Sequence, residues 1–594
     1  MSDSTVGPLS IRRARVLVSV AIALAIALAT GSVALGADTF RFHGSGYGHG
    51  IGMSQWGAYG LAQDGWSYPR ILTHFYSGTR VERASIPPRR VRVGLTSGRS
   101  TIRLGAKAGS VRLWLDGPGR TFVARIPRGK TWTVSAAPTR RRYAIRDHTG
   151  ALVGGVRWGG PSRPLFVTYQ DAGARVFVPE ADEIWHAGYT YAYGFLEFDL
   201  LRCADRCVQR LTIELPFERY FRGLGEMPSS WPAAALRAQV VAARTFAIYK
   251  IRRHGLRSDC DCHLEDGAGD QVYVGWGKEV GPDGDRWVAA VVATAGEVVT
   301  YRDSVIQAFY AASDGGFSED VEDVWHGGNP AYAIPYLRGV CDPGEYTSAN
   351  PWTDWTRSFS ASTLSARLGP YTGGIGTIKG FSDTRRGVSG RIVSALARGT
   401  GGTARVSGAE LRSALGLPDR RVWVNRDHNI VGALRAKYDA LMCRPGTAAS
   451  RVLVVDHGSR QLFERGGLYR NGRVDLTVWL RGSIHREYLA VGGAPGRLGL
   501  PVGPAARTTR TFATTTCSGC RRLVLEGGRI YSKPGLGAHA LWGPVLSTYL
   551  GRGGAQGALG YPTTRVRRED VGVRASFEHG TIACAGGSCS VQLG

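Results

Sequence analysis

The sequence predicts a mixed α+β fold, with one central buried helix, many short antiparallel strands and a β-rich repeat module at the C-terminal end. Three observations carry this reading. Glycine supplies 83 of 594 residues, about twice the usual ~7%, and follows no strict period. That favours frequent turns and short strands over long helices. The stretch from Trp231 to Arg253 is apolar nearly all round (Leu236, Val240, Val241, Phe246, Ile248), as a helix buried on every side must be. After residue 451 the sequence begins to repeat itself. Hydrophobic residues at 43% and charged residues at 20% exclude a disordered or collagen-like chain. A length of 594 residues, at roughly 100–200 per domain, predicts about three to five domains.

The first element is not structural. Arg12, Arg13 and Arg15 precede an apolar run from Val16 to Ala29, and small residues follow up to Ala37. This is a signal-peptide pattern over residues 1–36, and the run falls short of the ~20 residues a membrane span needs. It predicts a secreted protein cleaved near Ala37 or Asp38, with no membrane span in the mature chain; an uncleaved anchor is the alternative. Lys and Arg total 74 against 47 Asp and Glu, a net charge of +27. So basic a chain calls for a polyanionic neighbour. Export argues against nucleic acid and for an anionic cell envelope. Ten cysteines agree with an oxidising compartment, and the close pairs Cys203/Cys207, Cys517/Cys520 and Cys584/Cys589 read as local disulfides.

Residues 37–80 hold a Gly-rich segment, Gly44 to Gly57, and then a short helix around Tyr68–Tyr76. Residues 81–190 alternate apolar and polar positions, as in Val91-Arg-Val93-Gly-Leu95 and Val111-Arg-Leu113-Trp-Leu115; these are short antiparallel strands. Residues 191–442 contain the central helix. Ser230 is its expected N-cap, with Pro232 in the first turn. Gly255 is its expected stop, after Arg252 and Arg253 set against the helix dipole. Strands resume at Glu297–Tyr301 and Val305–Tyr310. Over residues 451–594, Gly493-Ala-Pro-Gly-Arg-Leu-Gly-Leu-Pro501 recurs as Gly554-Ala-Gln-Gly-Ala-Leu-Gly-Tyr-Pro562. A second element occurs three times, around Glu464, Glu526 and Glu578. Repeats of this size stack and present an extended surface, which reads as a binding module.

One residue stands out as a candidate for chemistry. Glu226 lies in a Gly- and Pro-rich turn just before the central helix. Its apolar neighbours Met227 and Trp231 can desolvate it and raise its pKa, as a general acid requires. The competing reading is an ion pair with Arg237 or Arg244, which share one stripe of the helix.

Taken together, Glu226-Met-Pro, Ala235–Ala247, Asp270-Gln-Val-Tyr-Val-Gly275, Ala308–Phe317, Val324-Trp325, Gly387–Ile392 and Gly408–Leu417 resemble the SpoIID/LytB family, over about residues 190–442. The resemblance implies a SpoIID-like core and a lytic transglycosylase acting on peptidoglycan glycan strands stripped of stem peptides. It makes Glu226 the catalytic acid/base and puts Arg237, Gln239, Arg244, Tyr310 and Ser313 at positions that bind substrate, with no cofactor required. Ordinary glycosidases need two carboxylates, and here one stands out. A lytic transglycosylase can use that one twice, first to protonate the leaving oxygen and then to deprotonate the muramic 6-hydroxyl that closes onto the anomeric carbon. LytB-type members imply the runner-up, a non-catalytic wall-binding enhancer of a cell-wall amidase. A plain muramidase using water is a third reading.

Gly48-His49-Gly-Ile-Gly-Met53-Ser54-Gln55-Trp-Gly57 also resembles the family, where it normally follows the Glu motif. Here it comes first. That implies a permuted order, with the N-terminal segment folding back onto the core, and makes His49, Ser54 and Gln55 candidate groove residues; a tight structural turn is the other reading. Cys260-Asp-Cys262-His263 offers zinc-type ligands, and some family members bind zinc in this stretch. They carry a Cys where this chain has Asp270. A disulfide between residues two apart is strained, so the alternative to a structural zinc is separate disulfides, for instance to Cys341. Leu498-Gly-Leu-Pro501 and Leu559-Gly-Tyr-Pro562 resemble LGFP repeats, found on envelope proteins of actinobacteria. The family name also implies sporulation. The partners expected are therefore glycan strands, anionic wall polymers and an amidase.

Overall fold

The computed structural model describes residues 39–84, 88–137, 142–160, 162–169, 173–181, 187–201, 207–507 and 517–594. The stretch read as a signal peptide, and Cys203, lie outside them. Among the described residues no helix is long and apolar enough to cross a membrane.

The mixed α+β architecture is present. Strands Arg90–Arg99, Val111–Leu115, Thr121–Ile126, Leu165–Thr168, Phe195–Leu200, Gln209–Pro216 and Leu264–Glu265 form one seven-stranded sheet. Thr101–Ala108, Thr131–Ala137, Arg142–Arg146, Arg175–Val178 and Tyr189–Tyr191 form a five-stranded one. Pairing crosses the division drawn between residues 190 and 191, since Val91 faces Leu215 and Val93 faces Ile213. All four are buried in a single cluster that includes Leu236, Val240 and Phe246 of the central helix. Alternation along a strand identifies the strand and its apolar face; it does not identify the partner.

The central helix runs Ala233–His254 and is buried from Ala235 to Ile248 except at Arg237. Its N-cap is Pro232, with no side-chain cap bond, so the expected cap from Ser230 is not made. Gly255 ends it as expected, at φ 62°. The N-terminal segment does fold back. Thr39–Gly44 pairs antiparallel with Trp355–Ser360 and with Val422–Val424. Met53–Ser54 pairs with Tyr310–Ala311, and Tyr47 bridges to Ser313. Ser54 Oγ then accepts the Gly57 N–H at 3.0 Å and caps the helix Gln55–Gln63.

Four disulfides link described cysteines, and Cys207 is also disulfide-bonded. Cys517–Cys520 and Cys584–Cys589 are local, as their spacing predicts. Cys341 pairs with Cys443. Cys260 pairs with Cys262, which corrects the expectation that these two would not bond each other. Asp261 between them is left-handed, at φ 50°, and folds the chain back so that the Cα atoms stand 5.1 Å apart, within the normal range for a disulfide. Two sulfurs joined to each other offer no thiolate. The Nδ1 of His263 accepts the Arg92 N–H at 3.0 Å. Cys260, Cys262 and His263 therefore do not form a zinc ligand set.

The C-terminal part contains three units, matching the three copies of the Glu464/Glu526/Glu578 element, while the Leu-Gly-x-Pro element marks two of them. Each unit is a helix (Gly432–Ala440, Gly482–Ala490, Gly543–Gly551), a loop and a four-stranded antiparallel sheet. The same bonds lock all three. A helix tyrosine donates to a loop glycine carbonyl: Tyr438 to Gly446 at 3.0 Å, Tyr488 to Gly499 at 2.6 Å and Tyr549 to Gly560 at 2.6 Å. The hairpin glutamates Glu464, Glu526 and Glu578 accept the N–H of the residue after that glycine. The first unit begins at Gly432, inside the segment assigned to the core, because its loop Cys443-Arg-Pro-Gly446 lacks the Leu-Gly-x-Pro signature. The loop glycine is required in each. Gly499 sits at φ 64°, and a Cβ there would lie 2.4 Å from Glu526 Oε2. Gly499→Ala should lower the stability of the repeat by about 1–3 kcal/mol, read as an earlier thermal transition, while Gly503→Ala, with open space around it, should leave that transition in place.

Candidate functional site

The turn after the short helix Phe217–Arg222 is laced to residues 272–274: the Gly225 N–H donates to Val272 O and the Val274 N–H to Gly223 O, each at 2.8 Å. This lacing puts Glu226 beneath the Val272 amide, whose N–H donates to Glu226 Oε1 at 2.8 Å. The Tyr310 hydroxyl donates to the same oxygen at 3.0 Å. Gln271 supports Tyr310, its Nε2 reaching the phenol oxygen at 3.0 Å, and Tyr220 donates to Gln271 Oε1 at 3.1 Å. The chain Tyr220–Gln271–Tyr310–Glu226 fixes one carboxylate oxygen and its orientation.

Glu226 opens into a cleft of about 510 Å³. His49 and Gln55 of the folded-back segment line it together with Tyr310, Phe309, Trp325 and Arg412. Burial pushes the Glu226 carboxyl up to about 7, against the opposing pull of the Val272 amide, the Tyr310 hydroxyl and Lys278. Burial likewise holds His49 down to about 4, reinforced by the charge of Arg391, so its ring is neutral. His49 Nδ1 accepts the Ile51 N–H at 3.0 Å, which assigns the ring proton to Nε2. The other acid in the cleft is Asp270. Its Oδ1 pairs with Lys250 and its Oδ2 accepts the Glu265 N–H at 2.9 Å. Among the described residues lining the cleft, Glu226 is thus the carboxyl without an ion pair, and it combines a desolvated acid with an aromatic-walled groove.

The remaining sequence candidates divide. Arg244 is fully buried and grips Glu218 through Nε and Nη2 at 3.0 and 2.9 Å, with Nη1 on Glu297 O. It neither pairs with Glu226 nor reaches the cleft. Arg237 is exposed and lies outside the cleft. These positions correct the groove role of both, and among the described residues neither arginine forms an ion pair with Glu226. Gln239 is buried and accepts the Gln55 Nε2 at 3.2 Å; it positions a cleft residue without facing the cleft. Ser54 and Ser313 are buried and both donate to Glu345, Ser54 at 2.7 Å, so they too hold the wall from behind. Sequence reasoning missed Arg412, the cleft's own arginine, although it stands inside the quoted stretch Gly408–Leu417. It also missed Gln271, inside Asp270–Gly275. Nothing local distinguishes these two from their neighbours.

Residues 209–301 match the family model described as Stage II sporulation protein, SpoIID, and residues 498–557 match the LGFP repeat. The chain is 28% identical over 213 residues to Stage II sporulation protein D of Bacillus amyloliquefaciens, covering 34% of this chain and 58% of that one. It is 27% identical over 229 residues to the protein of that name in Bacillus subtilis (strain 168), covering 36% and 61%. It is 33% identical over 142 residues to the amidase enhancer of Bacillus subtilis (strain 168), covering 24% of this chain and 17% of that one. The chain therefore spans about three fifths of the two sporulation proteins and a smaller share of the enhancer. On this footing the chain carries a SpoIID segment around the Glu226 cleft and an LGFP repeat in its C-terminal part.

Proposed function

We propose that this chain is an exported cell-wall protein that cleaves peptidoglycan glycan strands by lytic transglycosylation, with Glu226 as its single acid/base. The observation that carries the reading is a desolvated carboxyl, pushed up to about 7, in a cleft whose other acid is already paired. Glu226 gives its proton to the glycosidic oxygen as the bond to the anomeric carbon breaks. The resulting carboxylate then takes the proton of the muramic 6-hydroxyl, which closes onto that carbon. No water and no second carboxylate are needed. Arg412 is the cleft cation suited to the substrate's carboxylates, and Trp325, 46% exposed, offers a face for a sugar ring.

The second reading, enhancement of an amidase, is favoured by the similarity to the Bacillus enhancer. Digestion of amidase-treated glycan strands separates the two. The first reading expects anhydro-muramic ends, lighter by one water than reducing ends. Glu226→Gln keeps the acceptor for Val272 and Tyr310 and should cost ~10²–10⁴ in rate with binding retained. In the wild type the rate should fall as pH rises above about 7, because the free enzyme then loses the proton it must donate. A wild type that yields no cleaved strand, yet speeds an added amidase, selects the enhancer; reducing ends select a hydrolase.

Attachment to the wall falls to the repeats. A cleft of about 710 Å³ between the first two units is lined by Lys437, Trp479, Arg481, Arg521 and Lys533, with no acidic residue among the described residues that line it. Arg481 lies over the Trp479 ring at 4.7 Å. Cations beside an indole suit an anionic saccharide polymer. In the full chain, Arg481→Ala with Arg521→Ala should reduce retention on purified wall and flatten its salt dependence. Unchanged retention at every salt concentration would remove the cleft from the attachment role.

A further inference from the structure

Asp314, Asp342 and Glu345 bring their carboxylates within 4.8 Å of one another in the interior, at 1%, 0% and 0% exposure. We propose that they bind a hard divalent cation of the calcium or magnesium class. Glu345 is provided for by protein donors: Oε2 accepts from Ser54, and Oε1 accepts from Ser313, from the Gly315 N–H at 3.2 Å and from Asn350 Nδ2 at 2.9 Å. The two aspartates are each half satisfied. Asp314 Oδ1 accepts the Gly316 N–H at 2.8 Å and Asp342 Oδ1 the Gly344 N–H at 3.0 Å. The Oδ2 of each is buried without a hydrogen-bond partner. A buried carboxylate oxygen without a protein partner is costly, and two within one cluster point to a shared ligand.

That ligand is not a side-chain cation. Among the described residues none forms an ion pair with these three carboxylates. The arginines that face the cluster are held by other acceptors: Arg391 by Asp419 at 2.7 Å and by the Asp314 main-chain carbonyl at 2.9 Å, Arg435 by Asp439 at 2.6 Å, and Arg421 by the Ser389 carbonyl at 2.9 Å. The cluster is all oxygen, the donor type that calcium and magnesium select. Space for the Asp342 oxygen depends on the absence of a side chain at residue 57, where a Cβ would lie 1.8 Å from Oδ2.

A cation here would clamp the wall of the Glu226 cleft. Glu345 holds Ser54, the cap of the helix that starts with Gln55. Asp342 lies against Gly57 in that helix, and Asp314 follows Ser313, the bridge to Tyr47. The alternative occupant is a set of shared protons.

The test uses the full chain, stripped with a chelator and then titrated with Ca²⁺, with Mg²⁺ and with Na⁺ as control. Elemental analysis of untreated protein should find about one divalent ion per chain. Chelation should lower the melting temperature by roughly 5 °C or more, and Ca²⁺ or Mg²⁺ should restore it where Na⁺ does not. Asp342→Asn and Asp314→Asn, each removing one negative charge from the site, should bind the ion more weakly and show a smaller chelator response. Protein without bound metal, with melting unmoved by chelator or divalent ions, would overturn the proposal. So would an Asp342→Asn variant as stable as the wild type and with its metal affinity undiminished, since removing one of the three negative charges must weaken the hold on a hard divalent cation. Metal content and chelator response of the wild type decide the matter even if a variant fails to fold.

Discussion

One carboxylate oxygen sets the conditions for the rest of the cleft. Glu226 Oε1 is held by the Val272 amide and the Tyr310 hydroxyl, while the surrounding protein removes the water that would favour the charged form. Two hydrogen bonds to the carboxylate favour ionisation and burial opposes it. Burial is the larger effect, and the group is poised near neutrality. The arrangement tolerates no nearby guanidinium in contact, because a paired arginine would drag the carboxyl back down. Arg244 fits this constraint: it is drawn off by Glu218, beneath the ring of Phe221.

Building such a site takes pieces from far along the chain. His49 and Gln55 come from the N-terminal segment, Glu226 from the turn before the central helix, Tyr310 from a two-residue strand and Arg412 from a late helix. The pairing of Met53–Ser54 with Tyr310–Ala311 brings the first and third together. Glu345 and its serines secure that junction from inside. Ser54, Ser313 and Gln239 therefore act through the geometry of the wall, not through contact with the cleft.

The sequence disclosed the parts that depend on local pattern. The all-round apolar stretch Leu236–Ile248 reads as a buried helix, and a lone acid in a turn beside Met227 and Trp231 offers a desolvated carboxyl as one of two readings, the other being an ion pair with Arg237 or Arg244. What it withheld depends on partners. Arg244 and Arg412 are both arginines on helices, and only Glu218 decides which faces the cleft. A bond between Cys260 and Cys262 looked strained from the spacing alone, and the left-handed turn at Asp261 is what lets the two meet. The first repeat unit showed only its Glu464 element, and its start at Gly432 stayed hidden because Gly446 and Tyr438 keep the lock while the surrounding signature has changed. A conserved hydrogen-bond pattern is legible in coordinates before it is legible in letters.

In the resting protein Glu226 carries its proton up to near neutral pH. Its carboxyl can be followed directly by isotope-edited NMR titration of the full chain, with Glu226→Gln identifying the resonance. A midpoint near 7 is predicted. A midpoint at the ordinary glutamate value of about 4.3 would contradict it, since the carboxyl would then be ionised at neutral pH with no proton to give.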